Sequence, residues 1–319
     1  MSDYTIHRLC ENEFELLIPL MKDCFGVGFK LDYFQWKFVA NPAGFVFGFY
    51  AKHKSGEISA YYGVIPELFE INQETKIVFQ SCDTMTHSNH RRKGLFQLLA
   101  LHCFEKLKES NLSFIYGFGG GMSTPGFLKF GWIELFKINY FFYPRQLNIL
   151  NLSKPNSNVI EITKIEQIEH LIYASTKNST IHSIKNKQTY SWRISNPLYN
   201  YKIIALKNND YINSYLVFYE MKDKIFVFDF YSENGKNLKF LFNYLKNNLK
   251  KNQKGIISFV QDNSFWSHQL KLNGFIHNPL KIGPLNEKIP FIIYDPLKNL
   301  ENYYSYKNWS VNPFDHDAL

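Results

Sequence analysis

A chain of 319 residues with 45% apolar and 20% charged side chains has a globular balance and core material for one large domain or two ordinary ones. Its formal net charge of +8 favours anionic partners. The basic residues are scattered, with no long Lys/Arg block and no zinc-finger or RRM signature, so phosphate-bearing small molecules rank above nucleic acid.

In chain order, the amino terminus "MSDYTIHRLCENE" lacks the apolar run of a signal peptide, and no later stretch is apolar over a bilayer's width. The expectation is a soluble cytoplasmic protein with no membrane partner. The four cysteines (Cys10, Cys24, Cys82, Cys103) show no CxxC pair and no ligand spacing, so no metal is expected. A helix is predicted over 11–24, with Phe14, Leu17, Ile18 and Met21 on one face, and a second over 31–40, stopped by Asn41-Pro42. Strands follow at 45–51, 58–65, 67–71 and 75–86, then a helix at 94–110. A strand at 112–118, a short helix near 124–130 and a strand pair at 131–143 complete the first half. Runs of strands with covering helices indicate an α/β (α+β layered) fold.

The second half carries a weak repeat of the first, with convergent helix-to-strand punctuation as the alternative reading. "FQWKFVANP" (34–42) returns as "YSWRISNP" (190–197), and "FLKFGWIEL" (127–135) as "QLKLNGFIH" (269–277). The strand–turn–strand after each Asn-Pro also recurs. Two related domains are therefore expected: 1–145, a linker at 146–160 rich in Pro, Asn and Ser, a second domain at 161–300, and a tail at 301–319.

The densest chemistry lies at "THSNHRRKGLFQLL" (86–99), between a strand and a helix. The first amides of a helix lack intrahelical partners and carry partial positive charge, so aimed together they hold phosphate. Gly94 leaves room for a diphosphate, and Arg91, Arg92 and Lys93 add charge-assisted contacts. The stretch has neither the Walker A pattern of an ATPase nor the GxGxxG of a dinucleotide-binding Rossmann site.

Arg91-Arg92-Lys93-Gly94-Leu95-Phe96 resembles the acyl-CoA signature of the GNAT superfamily of N-acetyltransferases: Arg or Gln, two spacers, Gly, one spacer, then Gly or Ala. Phe96 departs from the small residue at the last position. The resemblance extends over 1–140, including "FIYGF" and the Gly-Trp ending of "FLKFGW". Copy two shares the layout, but "FYSENGKNLKFLF" (230–242) stands where a cradle would be. The resemblance thus implies two tandem GNAT-like domains, each a mixed, mostly antiparallel sheet flanked by helices, the second degenerate.

It further implies acetyl-CoA or another acyl-CoA as donor, bound by Met85, Thr86, His87, Arg91, Arg92, Lys93, Gly94, Leu95 and Phe96, with Ser123 in the loop "GFGGGMSTP" (117–125) bordering the acyl pocket. Transfer is direct to an amine. The strand end at 85–87 would polarise the thioester, a base would deprotonate the amine, and an acid would protonate the departing thiolate. The family's base position holds Gln80 and its acid position Phe127. Asp83 is then the candidate base, His87 a proton relay, and Tyr116 a substitute acid. Cys82 reads as packing. Asp315 and Asp317 sit on a tail that either contributes to acceptor binding or is disordered.

The resulting expectation is an N-acyltransferase acting on a small amine, with a nucleotide-linked aminosugar of surface-glycan synthesis as the preferred acceptor. The alternatives are a Fem-type aminoacyl-tRNA-dependent transferase and a non-catalytic acyl-CoA-binding protein.

Overall fold

The computed structural model describes residues 3–26, 30–109, 113–120, 123–150, 156–176, 179–277, 288–298 and 300–317. Parts of the expected linker (151–155) and of the glycine loop (121–122) lie outside them. The chain divides into two compact units. Residues 1–69, 74–136 and 290–305 form the first, and 70–73, 137–289 and 306–319 form the second.

In the first unit the helix expected at 11–24 is two elements. A 3-10 helix, Glu11–Leu17, leads into α1 (Ile18–Phe25), with Pro19 in its first turn. Proline has no N–H to bond back one turn, so a regular helix restarts there rather than running through. α1 ends at Gly26, whose φ of +71° suits glycine. The second helix begins as α2 (Leu31–Phe34) and widens into a π-turn, Gln35–Val39. That wider turn keeps Phe34, Trp36, Lys37 and Phe38 all buried.

The strands β1 (Tyr4–Arg8), β2 (Phe47–His53), β3 (Ile58–Ile71), β4 (Glu74–Thr86) and β5 (Ile115–Phe118) lie in that order in the sheet. β3 was expected as two strands parted by Pro66, but it runs unbroken. The Pro66 carbonyl instead accepts from the Asn41 side chain at 2.8 Å. β4 and β5 pair in parallel at Phe79↔Ile115 and Gln80↔Tyr116. On its other side β5 pairs antiparallel with Phe291–Tyr294, so a late segment of the chain returns to this sheet. α3 (Leu95–Lys108) covers one face. Its Leu95, Leu99, Cys103, Phe104 and Leu107 meet Phe49, Tyr62, Val64, Ile115 and Trp132 in a single core. Burying each large apolar side chain there contributes about 1.5–3 kcal/mol. α4 (Thr124–Lys129) follows, then β6 (Ile133–Pro144), one long strand where a pair was expected.

The second unit has the strands β6–β12–β11–β10–β9–β7 in order, where β7 is Val159–Ile162, β9 Tyr201–Asn208, β10 Tyr211–Glu220, β11 Ile225–Ser232 and β12 Gly255–Gln261; β8 (Ile181–Ser183) lies off this run. β11 and β12 are parallel and the other pairs antiparallel. Its helices are α5 (Glu169–Ala174), α6 (Lys187–Ile194), α7 (Leu238–Asn247) and α8 (Phe265–Leu272). Leu238, Leu241, Phe242 and Leu245 of α7 enter a core with Leu216, Val227, Ile256 and Phe275. Mixed, mostly antiparallel sheets with helices on them are the α/β architecture expected.

The repeated sequences build the same local structures. Trp36 and Trp192 are buried, and so are the basic residues that follow them, Lys37 and Arg193. Asn41 and Asn196 each accept a backbone N–H two residues on, from Ala43 at 2.9 Å and Leu198 at 3.0 Å. α4 and α8 both end in a left-handed glycine, Gly131 (φ +89°) and Gly274 (φ +80°). In each, the next aromatic residue donates its N–H back to the helix, Trp132 to Phe127 and Phe275 to Leu270. Residues 301–317 of the tail are folded. Trp309–Ser310 pairs in parallel with Ile181–His182, and Asp315 is buried, accepting from the Ser183 hydroxyl and the Asn312 amide. Burial pushes the Asp315 carboxyl up.

Candidate functional site

The first unit places every residue expected to bind the donor on β4, α3, α4 or the turns that join them. At the end of β4, the Thr86 carbonyl accepts from Arg91 Nε at 3.3 Å and from Cys24 Sγ at 3.4 Å. The turn Ser88–His90 follows, capped by His87, whose Nδ1 accepts the Asn89 N–H. Asp23 fixes this turn from α1 by accepting from the Ser88 amide at 2.7 Å and its hydroxyl at 2.8 Å. Those bonds hold its carboxyl below the ordinary aspartate value.

The chain then bends twice through left-handed backbone, at Arg92 (φ +62°) and Gly94 (φ +76°), and α3 starts at Leu95. A Cβ on Gly94 would meet no atom within 4 Å, so the space beside it is open. Arg91, Arg92 and Lys93 are exposed around it. α3 carries no acidic residue in its first turn to answer its own dipole. An exposed helix start with three cations and no anion of its own fits a diphosphate.

Other expected donor residues have side chains packed into the fold. Met85 and Leu95 point into the core. Phe96 turns its ring onto α4, 5.0 Å from Phe127 and 5.4 Å from Phe130. It occupies the space above Gly126, where a Cβ would come within 2.8 Å of the ring. The bulky residue at the last signature position is thus accommodated by a glycine on the facing helix. Ser123 is the N-cap of α4, and its carbonyl accepts the amides of Gly126 and Phe127.

The three residues considered for proton transfer belong to different networks. Asp83 stands in β4 with φ +47°, a left-handed residue inside a strand, and its carboxylate pairs with the buried Lys37 at 2.8 Å. Lys37 also donates to Tyr33 Oη at 3.1 Å. His87 Nε2 faces Glu57 at 3.3 Å and Asp23 at 3.8 Å. Tyr116 is fully buried, with Phe69, Phe118 and Phe291 around its ring. Gln80 and Phe127 are also buried, and Cys82 Sγ donates to the Gly63 carbonyl.

Glu57, Asp23 and Lys37 were not anticipated. Lys37 carried a signal, since a basic residue inside an otherwise apolar helical run needs an acid nearby. Glu57 lies in a turn and has no pattern of its own. Its carboxylate is held below the ordinary glutamate value by the hydrogen bond from His90 Nε2 at 2.8 Å, while His90 Nδ1 meets Tyr4 Oη. The ligand atoms of Glu57, His87 and His90 lie within 4.8 Å of one another, close enough for one metal ion. His87 fits that role poorly. Its Nδ1 accepts a backbone N–H, which puts the ring proton on the Nε2 that would have to bind metal.

The family comparison agrees with this geometry. A model of the acetyltransferase (GNAT) domain matches residues 5–134, the stretch that contains β4, the cradle and α4. The match covers less than half of the chain. Among solved structures, the fold is similar to a probable N-acyltransferase from Enterococcus faecalis, at a TM-score of 0.72 and 7% identity, over 93% of this chain and 73% of that one. A GCN5-related N-acetyltransferase from Anabaena variabilis matches at 0.68 and 8%, over 92% and 72%. N-myristoyltransferase from Saccharomyces cerevisiae, solved with bound myristoyl-CoA and inhibitors, matches at 0.64 and 12%, over 92% and 80%. No curated protein matches the sequence. The match to this domain supports an enzyme of the N-acetyltransferase type. Among the described residues, no helix is long and apolar enough to cross a membrane.

Proposed function

We propose that this GNAT chain transfers an acyl group, in the first instance acetyl, from acyl-CoA directly to a small amine, with a nucleotide-linked aminosugar as the preferred acceptor. The observation that carries the donor is the start of α3, where an open left-handed Gly94 and three exposed cations surround amides that have no acid of their own. The donor supplies the activated thioester. Arg91, Arg92 and Lys93 neutralise its diphosphate, and the backbone at 85–87 receives the pantetheine arm.

Asp83 is proposed as the base. Its left-handed backbone breaks the regular pleat of β4, and such outliers concentrate where a strand presents groups to a ligand. Lys37 fixes the carboxylate's position. His87, locked between Asn89, Glu57 and Asp23, serves better as an anchor of the cradle turn than as a relay. Tyr116 would act as acid only after the aromatic cluster around it opens.

The second unit is proposed as a degenerate GNAT domain, on the strength of its repeated Trp–basic–Asn and helix–Gly–aromatic structures. The place of its cradle is filled. A Cβ on Gly235, just before α7, would lie 2.5 Å from the Gln269 amide. The four cysteines are free thiols, which suits a cytoplasmic site of action.

A longer acyl chain is the second reading, favoured by the likeness to an enzyme solved with myristoyl-CoA. The test is thiol release from acetyl-CoA and from myristoyl-CoA in the presence of a panel of sugar-nucleotide amines. Release with an amine supports transfer, and the faster donor sets the chain length. Donor binding without release on any amine would favour a binding protein. Indifference to both donors would refute the donor assignment and reopen the aminoacyl-tRNA alternative.

A further inference from the structure

The second unit contains a cavity of about 600 Å³ that the acyl-transfer reading does not use. It is lined by the turn that follows β6 (Arg145, Asn148), by the end of α7 (Lys246), and by the loop leading into β12 (Lys251, Gln253, Lys254). Its size is within the range that holds a nucleotide-sized ligand. Four of its lining residues are cationic and, among the described residues, none is acidic.

Lys246 is the unusual member. The residue is 8% exposed, yet its ammonium makes no ion pair or hydrogen bond among the described residues. Its contact is the face of the Tyr143 ring, 4.7 Å away. Burial pulls this ammonium down to about 8. A lysine at the end of a helix ordinarily answers the last carbonyls, but here those are already taken. Asn248 donates to Tyr244 and Leu245, and Asn148 donates to the carbonyl of Lys246 itself at 2.7 Å. The acids on the β10–β11 turn are committed as well, Glu220 to Lys202 and Lys250, and Asp223 to Lys224 and Lys254. Arg145 is held in place by donating Nη1 to the Lys251 carbonyl at 3.0 Å, and Lys251 makes no ion pair among the described residues. Drawing an ammonium largely out of water without an anion is costly, and an incoming anion lowers that cost.

We infer that this cavity is a binding site for a phosphate-bearing small molecule of nucleotide size. The phosphate sits against Lys246, Lys251 and Arg145, and the surrounding side-chain amides hydrogen-bond the remainder.

The experiment is lysine footprinting of the intact protein. Brief acetylation with an N-hydroxysuccinimide ester is read at each lysine by mass spectrometry, with and without ADP, pyrophosphate, adenosine or poly-glutamate. ADP at ten times its dissociation constant should slow labelling of Lys246 and Lys251 by about elevenfold, and adenosine should leave it unchanged. Pyrophosphate protecting as well as ADP would support recognition of the phosphate itself. Protection by poly-glutamate alone, or by none of the four, would overturn the inference. ADP can also occupy the cradle of the first unit, so its binding is measured again by equilibrium dialysis in Gly94→Glu. Binding that persists there and is lost in Gly94→Glu combined with Lys246→Met and Lys251→Gln supports the site. Binding unaffected by the two lysine changes, or absent already in Gly94→Glu, overturns it.

Discussion

Replacing Lys37 with Met tests how the buried pair shapes the first unit. Lys37 is fully buried and Asp83 is 10% exposed at its side chain, with 2.8 Å between them. Taking one partner from a buried ion pair costs about 3–5 kcal/mol, because the other charge stays desolvated without its counter-ion. Asp83→Asn takes the acid from beside the ammonium instead and falls in the same range, while asparagine still tolerates the left-handed backbone. The double variant removes both charges and should cost about 1–2 kcal/mol, chiefly the lost hydrogen bonds. The two single costs then sum to far more than the double, a coupling of at least about 4 kcal/mol. The measurement is native-state hydrogen exchange at the core amides of β2 and β3, which reports opening of the first unit by itself. A double variant that loses as much as the two singles together would refute the pairing. Both variants should also lower acyl transfer, and Lys37→Met should do so with acyl-CoA affinity within threefold of the parent, about 0.65 kcal/mol.

Gly94→Glu places a carboxylate where the donor's diphosphate is proposed to lie. At an effective dielectric near 20 the repulsion is about 3 kcal/mol, a loss of roughly a hundredfold in acyl-CoA affinity by calorimetry. Gly94→Ala, which meets open space, should cost only about 1 kcal/mol in stability from its left-handed backbone. Gly126→Ala drives a methyl into the Phe96 ring and should lower thermal stability by about 1–3 kcal/mol, a penalty that disappears in a Phe96→Ala background. Lys246 has a folded value of about 8 against an ordinary 10.5. The unfolded chain therefore binds more protons between those values, so its burden on stability is full below pH 8 and is relieved as pH rises towards 10.5. Stability of the second unit should climb across that window, and Lys246→Met should flatten the climb.

The strand–turn–helix junction at 86–99 was legible in the sequence because it is local. Arg91, Arg92, Lys93 and Gly94 adjoin one another, and both a strand and a helix announce themselves by periodicity. The repeats were legible for the same reason, since Asn41 and Asn196 act within two residues of themselves. What sequence could not supply were partnerships across the sheet. Glu57, just before β3, finds His90, just after β4, and Lys37 of the π-turn finds Asp83 of β4 only once the chain is folded. The breaks at Pro19 and the continuity at Pro66 show one residue type acting oppositely. Inside a helix its missing N–H is decisive, whereas in β3 its carbonyl is engaged by Asn41 and the strand carries on.

The return of Phe291–Tyr294 to the side of β5 has a consequence for how the protein is made. The first unit's sheet, begun within the first 136 residues, gains its last strand only about 150 residues later. At ordinary rates of synthesis that interval is roughly 8–30 s. During it, the edge of β5 stands open on the ribosome, a row of unpaired backbone groups between buried aromatics. A nascent chain arrested before residue 290 would therefore be a better substrate for holding chaperones than one arrested after 305.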